Sequence, residues 1–326
     1  MPACRRRVLA AISLAAALGL GACASSSGTQ RAATATTVRA PTSAAPATTT
    51  TTAAPTDLAV TRITPTFVDR GRPTDDPDHT RSAPTRALVT DIYIPAGKGP
   101  YPLIVHAHGA AGDARKFTVL AGAWARHGYV VAIPNFPLTS DKSGGAVVLG
   151  DYVQQPADLH FVLDQVLHLA ASPHTPLTGK IDRRHIGLSG LSLGGATAYG
   201  FGFNTCCRDP RISAVIIMSG IKLPFGNDPY VFDKPTLIFH GTADPTIPYS
   251  TAGTVYASMA PPKYFVSLLG AGHAPQYEDT PDPHDAVVIA ASLDFWNTYL
   301  KGQDAARARL LADANHPPLS SIRSAP

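Results

Sequence analysis

The sequence predicts an α/β protein whose central sheet is mostly parallel and carries helices on both faces. Short apolar runs rich in Val, Ile and Leu alternate with longer segments of helical periodicity. Runs such as Ala214 to Met218 are apolar at consecutive positions, which suits strands covered on both faces rather than on one. Regular alternation of the two patterns implies βαβ units with right-handed crossovers.

Taken in order, the strand candidates are Val60 to Val68, Arg86 to Ile94, Leu103 to His106, Val130 to Ile133, His185 to Leu188, Ala214 to Met218, Thr236 to Phe239 and Tyr264 to Leu268. Helices are predicted at Thr118 to His127, Pro156 to Ala170, Ser192 to Phe203, Thr251 to Met259 and His284 to Leu300. No helix separates the first two strands, so the sheet is expected to begin with an antiparallel pair. No internal repeat is visible.

With 326 residues, 44% of them hydrophobic and 15% charged, the chain can bury one large core, and a second full domain is not required. The formal charge of +4 includes Arg5, Arg6 and Arg7; without them it is +1 (4 − 3). That is no electrostatic footprint for nucleic acid.

Residues 1–22 read as an export signal: the arginine cluster, an apolar run from Val8 to Leu20 that is short for a spanning helix, and small residues before Cys23. Leu20, Gly21, Ala22 and Cys23 together resemble the lipobox of bacterial lipoproteins, which implies that Cys23 is lipidated and becomes the first mature residue. An ordinary secretory signal cut nearby is the alternative. Either way the folded domain is expected outside the cytoplasm, and in the lipoprotein reading it is anchored to the membrane. Residues 23–57 are rich in Thr, Ala, Ser and Pro with almost no bulky apolar side chain, the composition of a disordered tether with a mean span on the order of 30 Å. Residues 58–326 then form the α/β domain. It holds two cysteines, the adjacent Cys206 and Cys207, which pair with each other, stay reduced or cross-link two molecules; a vicinal disulfide is the favoured reading. No zinc-type Cys/His spacing is present, and no metal or cofactor is expected.

The chemistry concentrates where a strand runs into Gly190, Leu191, Ser192, Leu193 and Gly194 and then directly into a helix, the context that a G-x-S-x-G nucleophile elbow requires. A serine hydroxyl needs a base, and in this arrangement an acid and then a histidine follow it in the chain. Asp244 and His273 answer that requirement, each lying just after a predicted strand, at the carboxyl edge where the crevice of a parallel sheet forms. Asp279, Asp282 and Asp285 come after His273, in the wrong order, and Asp233 precedes its strand. A developing oxyanion needs two N–H donors: Leu193 supplies one, and the small-residue loop His108 to Gly112 supplies the other from Ala110, with Ala111 as the alternative. His106 and His108 can be read as bases, but hydrogen bonding that holds this loop is the better reading.

These pieces, His108 to Gly112, Gly190 to Gly195, His240 to Pro248 and Gly270 to His273, follow one another over most of the segment from Phe67 to Leu300. In them the chain resembles the α/β-hydrolase superfamily, nearest to its dienelactone-hydrolase-like, platelet-activating-factor-acetylhydrolase-like and cutinase-like branches. The resemblance implies a serine esterase with Ser192, Asp244 and His273 as catalytic residues and the amides of Ala110 and Leu193 as oxyanion hole. Dienelactone hydrolases themselves use cysteine where this chain has Ser192, which argues against that activity. A peptidase or thioesterase with the same triad, and a non-catalytic cell-envelope binding protein on the same scaffold, are the competing readings. The expected partner is a small or polymeric ester, and a monomer is favoured.

Other features carry no assigned role. The segments Asp75 to His79 and Asp279 to Asp285 read as solvated turns rather than cation sites. Tyr152, Tyr230 and Tyr249 read as packing. The longest connection, Asn135 to Asp151, has no long apolar insertion, so an open site without a lid is expected.

Overall fold

The structure is a computed structural model that describes residues 57–326. The expected signal at 1–22, the lipidation of Cys23 and the tether up to residue 56 lie outside the described residues.

Ten strands form the sheet: β1 (Val60–Ile63), β2 (Thr66–Asp69), β3 (Arg86–Pro95), β4 (Tyr101–Ala107), β5 (Val130–Pro134), β6 (Ile181–Leu191), β7 (Ile212–Met218), β8 (Thr236–Gly241), β9 (Lys263–Leu268) and β10 (Ser320–Ala325). Six α-helices accompany them: α1 (Thr118–Arg126), α2 (Gln155–Ala171), α3 (Leu193–Phe203), α4 (Tyr249–Ser258), α5 (Asp285–Leu300) and α6 (Asp304–Asp313). The strand order is β1-β3-β5-β4-β6-β7-β8-β9-β10, with β2 paired to β3. The run from β5 to β9 is parallel, and the flanking pairs are antiparallel. The molecule is therefore of the mixed α/β class, with a mostly parallel sheet.

Side-chain alternation along each strand divides the core into two layers. On β7, Val215 and Ile217 join one layer with Leu159 and Leu163 of α2, Tyr199 and Phe203 of α3 and Val255 of α4. Ala214, Ile216 and Met218 face the other way, against Leu120 and Trp124 of α1, Val288 and Trp296 of α5 and Leu310 of α6. Both faces are dry, which is why these strands read as continuous apolar runs.

Three elements depart from the sequence reading. The strand expected over Val60 to Val68 is broken into β1 and β2 at Pro65, which has no N–H for the ladder and offers only its carbonyl, to the Thr90 amide at 2.9 Å. Helix α6 buries only Ala306 and Leu310 among mostly polar neighbours, so it has no apolar stripe to read. Strand β10 is short and polar and exists because β9 offers it an edge, from Ser320 opposite Leu268 to Ala325 opposite Lys263.

Between α3 and β7, Cys206 and Cys207 are joined in a vicinal disulfide. Its turn is held by Asn204, which accepts the Cys206 amide on its side chain at 3.0 Å and the Cys207 amide on its carbonyl at 3.1 Å. The pair lies at the edge where the parallel strands begin. The segment read as a solvated turn near Asp75 is in fact pinned: Asp76 is buried and paired with Arg81, which also donates to Ser143 Oγ at 2.7 Å and to the Ala146 carbonyl at 2.7 Å. No helix among the described residues is long and apolar enough to cross a membrane.

Candidate active site

Strand β6 delivers Ser192 at its carboxyl end, immediately before α3. The residue has φ 56° and ψ −114°, a left-handed conformation that costs a non-glycine residue of order 1–3 kcal/mol and turns the side chain off the end of the strand. The turn is tight because a Cβ at Gly194 would collide with the Ala107 carbonyl of β4. The Ser192 amide is bonded to the Met218 carbonyl of β7 at 2.9 Å, so two neighbouring strands clamp the turn.

The loops after β8 and β9 bring Asp244 and His273 to the same edge. His273 Nε2 lies 2.8 Å from Ser192 Oγ, and its Nδ1 lies 2.7 Å from Asp244 Oδ2. The Asp244 side chain is fully buried. Burial alone would raise its pKa, but hydrogen bonds from His273 and from the Ile247 and Thr246 amides outweigh it and hold the carboxyl below the usual range. Asp244 is therefore ionised and can only accept. Nδ1 of His273 must carry the proton, and Nε2 is left as acceptor for the Ser192 hydroxyl. That arrangement can pull the serine proton away as the oxygen attacks an electrophile.

Replacing Asp244 by asparagine should lower turnover by about 10⁴-fold while substrate binding changes little, because an amide cannot orient the histidine tautomer or stabilise its cation. Steady-state kinetics separates the two parameters. Near-normal turnover would mean that another carboxylate supplies the function.

The loop after β4 places its amides beside the serine: a Cβ on Gly109 would stand 3.2 Å from Ser192 Cβ. The Gly109 carbonyl accepts the Gly112 amide at 3.0 Å and His108 Nδ1 at 2.7 Å. Because the following peptide is trans and planar, the Ala110 N–H points the opposite way, and it has no acceptor among the described residues. The Leu193 N–H, first in α3, is likewise free by helix geometry. The alternative donor, Ala111, is excluded as an oxyanion donor: its N–H is spent on the Thr139 carbonyl at 2.8 Å.

His106 and His108 are both fully buried and face away from any role as base. His108 accepts the Phe136 amide on Nε2 at 3.0 Å while Nδ1 donates to Gly109, and burial pushes its pKa down to about 4. His106 sits 2.8 Å from Ser189 Oγ, and burial together with the neighbouring His108 lowers it to about 3. Asp279 is occupied as well: its carboxylate accepts the Thr118 and Val119 amides at 3.0 and 2.8 Å, at the positive end of α1. Asp282 pairs with His284, and Asp285 accepts the Asp282 amide at 3.0 Å. Tyr152 and Tyr249 bond the Pro224 carbonyl and Ser267, and Tyr230 the Leu223 carbonyl.

Sequence reasoning missed the residues that hold this geometry. Ala111 has φ 55°, and both its peptide groups are tied down: its N–H by Thr139 and its carbonyl by Lys116 Nζ at 3.0 Å. Gln155, buried in the first turn of α2, donates to Thr139 Oγ1 at 2.8 Å and accepts from Thr197 Oγ1 on α3. One glutamine thus couples the helix that follows Ser192 to the loop that carries Ala110. His240 is a further case; its Nε2 lies 2.9 Å from the Ile247 carbonyl and 3.3 Å from Asp244 Oδ2, and burial lowers its pKa. A buried polar residue on an otherwise ordinary helix or strand leaves no signal in a single sequence.

No protein-family model matches the chain, and no curated protein matches its sequence.

Proposed function

We propose that the protein is a serine hydrolase of carboxylic esters with the α/β-hydrolase fold, exported and held at the membrane through Cys23. The observation that carries this reading is the relay Ser192 Oγ, His273 Nε2, His273 Nδ1, Asp244 Oδ2, with steps of 2.8 and 2.7 Å, whose Ser192 end lies against the Gly109 loop that carries the free Ala110 amide. Ser192 Oγ attacks the ester carbonyl as its proton passes to His273 Nε2. The oxyanion forms against the N–H groups of Ala110 and Leu193. Collapse expels the alcohol, which takes the proton from His273. Water then attacks the acyl carbon as its proton passes to the same nitrogen, and collapse breaks the bond to Ser192 Oγ, which takes that proton back as the acid is released.

Short connections with no lid-sized apolar insertion favour short to medium acyl chains. A panel of p-nitrophenyl esters of graded chain length, run beside a fluorophosphonate probe, tests the activity: turnover should peak at short to medium chains and the probe should label Ser192. Labelling without ester turnover would transfer the reading to amides or thioesters, and absence of both would end the hydrolase reading. For the anchor, detergent partitioning of the wild type should be lost in Cys23→Ser. Equal partitioning of the two forms rules out lipidation at that residue.

A further inference from the structure

We propose that the edge of the domain opposite Ser192 is a basic face that sits against anionic lipid headgroups and turns the crevice away from the membrane. A parallel sheet separates its two edges: Ser192, Asp244 and His273 follow the carboxyl ends of β6, β8 and β9, and the turns leading into the strands lie at the other end. Five cations gather at that other end. Lys98 is on the turn before β4, Arg126 ends α1, and Lys180, Arg183 and Arg184 surround the start of β6.

They form one neighbourhood. The Tyr101 amide donates to the Lys180 carbonyl at 2.7 Å, Lys180 Nζ donates to the Gly97 carbonyl, and Pro102 of β4 lies opposite Asp182 of β6. Lys98, Arg126, Arg183 and Arg184 are exposed, the Arg184 side chain to 84%. Lys301 joins them, its Nζ donating to the His127 carbonyl at 2.6 Å, and two carboxylates share the neighbourhood, Asp57 at 3.9 Å from Arg126 and Asp182 at 3.4 Å from Arg184, leaving a net +4 (6 − 2). The crevice edge has the opposite character: its loops carry Asp113, Asp141, Asp244, Glu278, Asp279 and Asp282 against Arg115, Lys116, Lys142 and Lys222, a net −2 (4 − 6).

The second observation is where the chain joins the domain. The Leu58 amide donates to the Arg126 carbonyl at 2.9 Å, and the Ala59 carbonyl accepts the Ala96 amide at 2.7 Å, two residues from Lys98. The covalent link to residues 1–56 therefore emerges among these cations, not at the crevice. Those residues hold the apolar run and Cys23, so in the anchored reading this face is the one next to the link to the membrane. The anchoring reading enters only through that choice of partner.

Arg183 and Arg184 lie in a bulge of β6 between Asp182, opposite Pro102, and Ile186, opposite Leu103, and from Ile186 the strand runs on the order of 20 Å to Ser192. That is more than two Debye lengths of about 8 Å at physiological salt, so headgroup attraction acts on this face and is largely screened at the crevice. The consequence is a fixed orientation, with esters reaching Ser192 from the side away from the lipid.

The test is co-sedimentation of the full chain with vesicles of phosphatidylcholine, with and without phosphatidylglycerol, at low and high salt. Each cation near an anionic surface contributes roughly fivefold to binding, so Lys98→Gln/Arg183→Gln/Arg184→Gln should lose about a hundredfold of the preference for anionic vesicles. Wild type and variant carry the same first 56 residues, so failure of the anchor and failure of this face are distinguishable. Unchanged melting temperature and unchanged turnover are expected of the variant. Should it fold poorly, Arg183→Gln/Arg184→Gln serves instead, with roughly a 25-fold loss. An anionic preference that is absent in the wild type, or retained in full by the variant, overturns the proposal. So does binding of soluble polyphosphate with the same residue dependence and no vesicle binding, which would assign the face to a soluble polyanion.

Discussion

Ser192→Ala should abolish ester turnover, by about 10⁴-fold or more, together with fluorophosphonate labelling. Among the described residues no other hydroxyl is hydrogen-bonded to His273 Nε2, and without Oγ there is no covalent intermediate to form. The fold should be nearly indifferent. The substitution removes one hydroxyl and its bond to His273 at 2.8 Å, while the strained turn and its clamp to Met218 stay in place. The melting temperature should therefore move by no more than about 3 °C, the response to about 1 kcal/mol in a domain of this size. Labelling that persists in the variant, or that maps by mass spectrometry to Ser189 or Ser219, would remove Ser192 from the mechanism. A large drop in melting temperature would leave the kinetic loss uninterpretable as chemistry, and Ser192→Cys then provides the retained-volume comparison: it should keep its fold and remain open to thiol alkylation.

Arg86→Met should have the largest effect on stability. The Arg86 side chain is 1% exposed and spans two carboxylates: Asp158 accepts from Nε at 2.7 Å and from Nη2 at 2.8 Å, and Asp151 from Nη1 at 3.1 Å and Nη2 at 2.5 Å. Asp158 is fully buried, and its other cation is Arg72 at 2.9 Å. Removing the guanidinium leaves the buried Asp151 without its ion-pair partner and Asp158 with Arg72 alone, a loss of about 3–5 kcal/mol. In melting temperature that is on the order of 10 °C. Activity should fall too, because Asp151 and Asp158 flank Gln155, and Gln155 links the loop that carries Ala110 to α3. The control is a double-mutant cycle: Arg86→Met should cost far less in a background of Asp151→Asn/Asp158→Asn, where no charge is left unpaired. Equal costs in both backgrounds would show that Arg86 acts by packing its methylenes and not through its charge.

Much of the architecture is legible in the order of residues, because strands buried on both faces must be apolar at every position. Ala214 to Met218 and Leu237 to Phe239 announce themselves in that way. Ser192 is legible for a different reason: its conformation is dictated locally, by the small residues of a turn between one strand and one helix. Asp244 and His273 are legible because each follows a strand of a parallel sheet, and every such strand ends at the same edge. Where burial is slight the pattern fails. Helix α6 hides two side chains, and β10 is held by a backbone ladder that any sequence without proline can make.

What the tertiary structure alone decided are contacts between residues far apart in the chain. Nothing in the run His108 to Gly112 distinguishes Ala110 from Ala111 as a donor; Thr139, 28 positions beyond Ala111, does so by taking the Ala111 N–H. Gln155 and Thr197 are ordinary residues on their own helices and meet only because α2 packs beside α3. Arg86 and Asp158 are 72 positions apart, and either alone would read as a surface charge. The local pattern of side chains sets which segments become strands and helices, since it decides what each can bury. Which polar groups satisfy one another depends on positions the fold brings to within about 3 Å, and a single sequence carries no record of that distance.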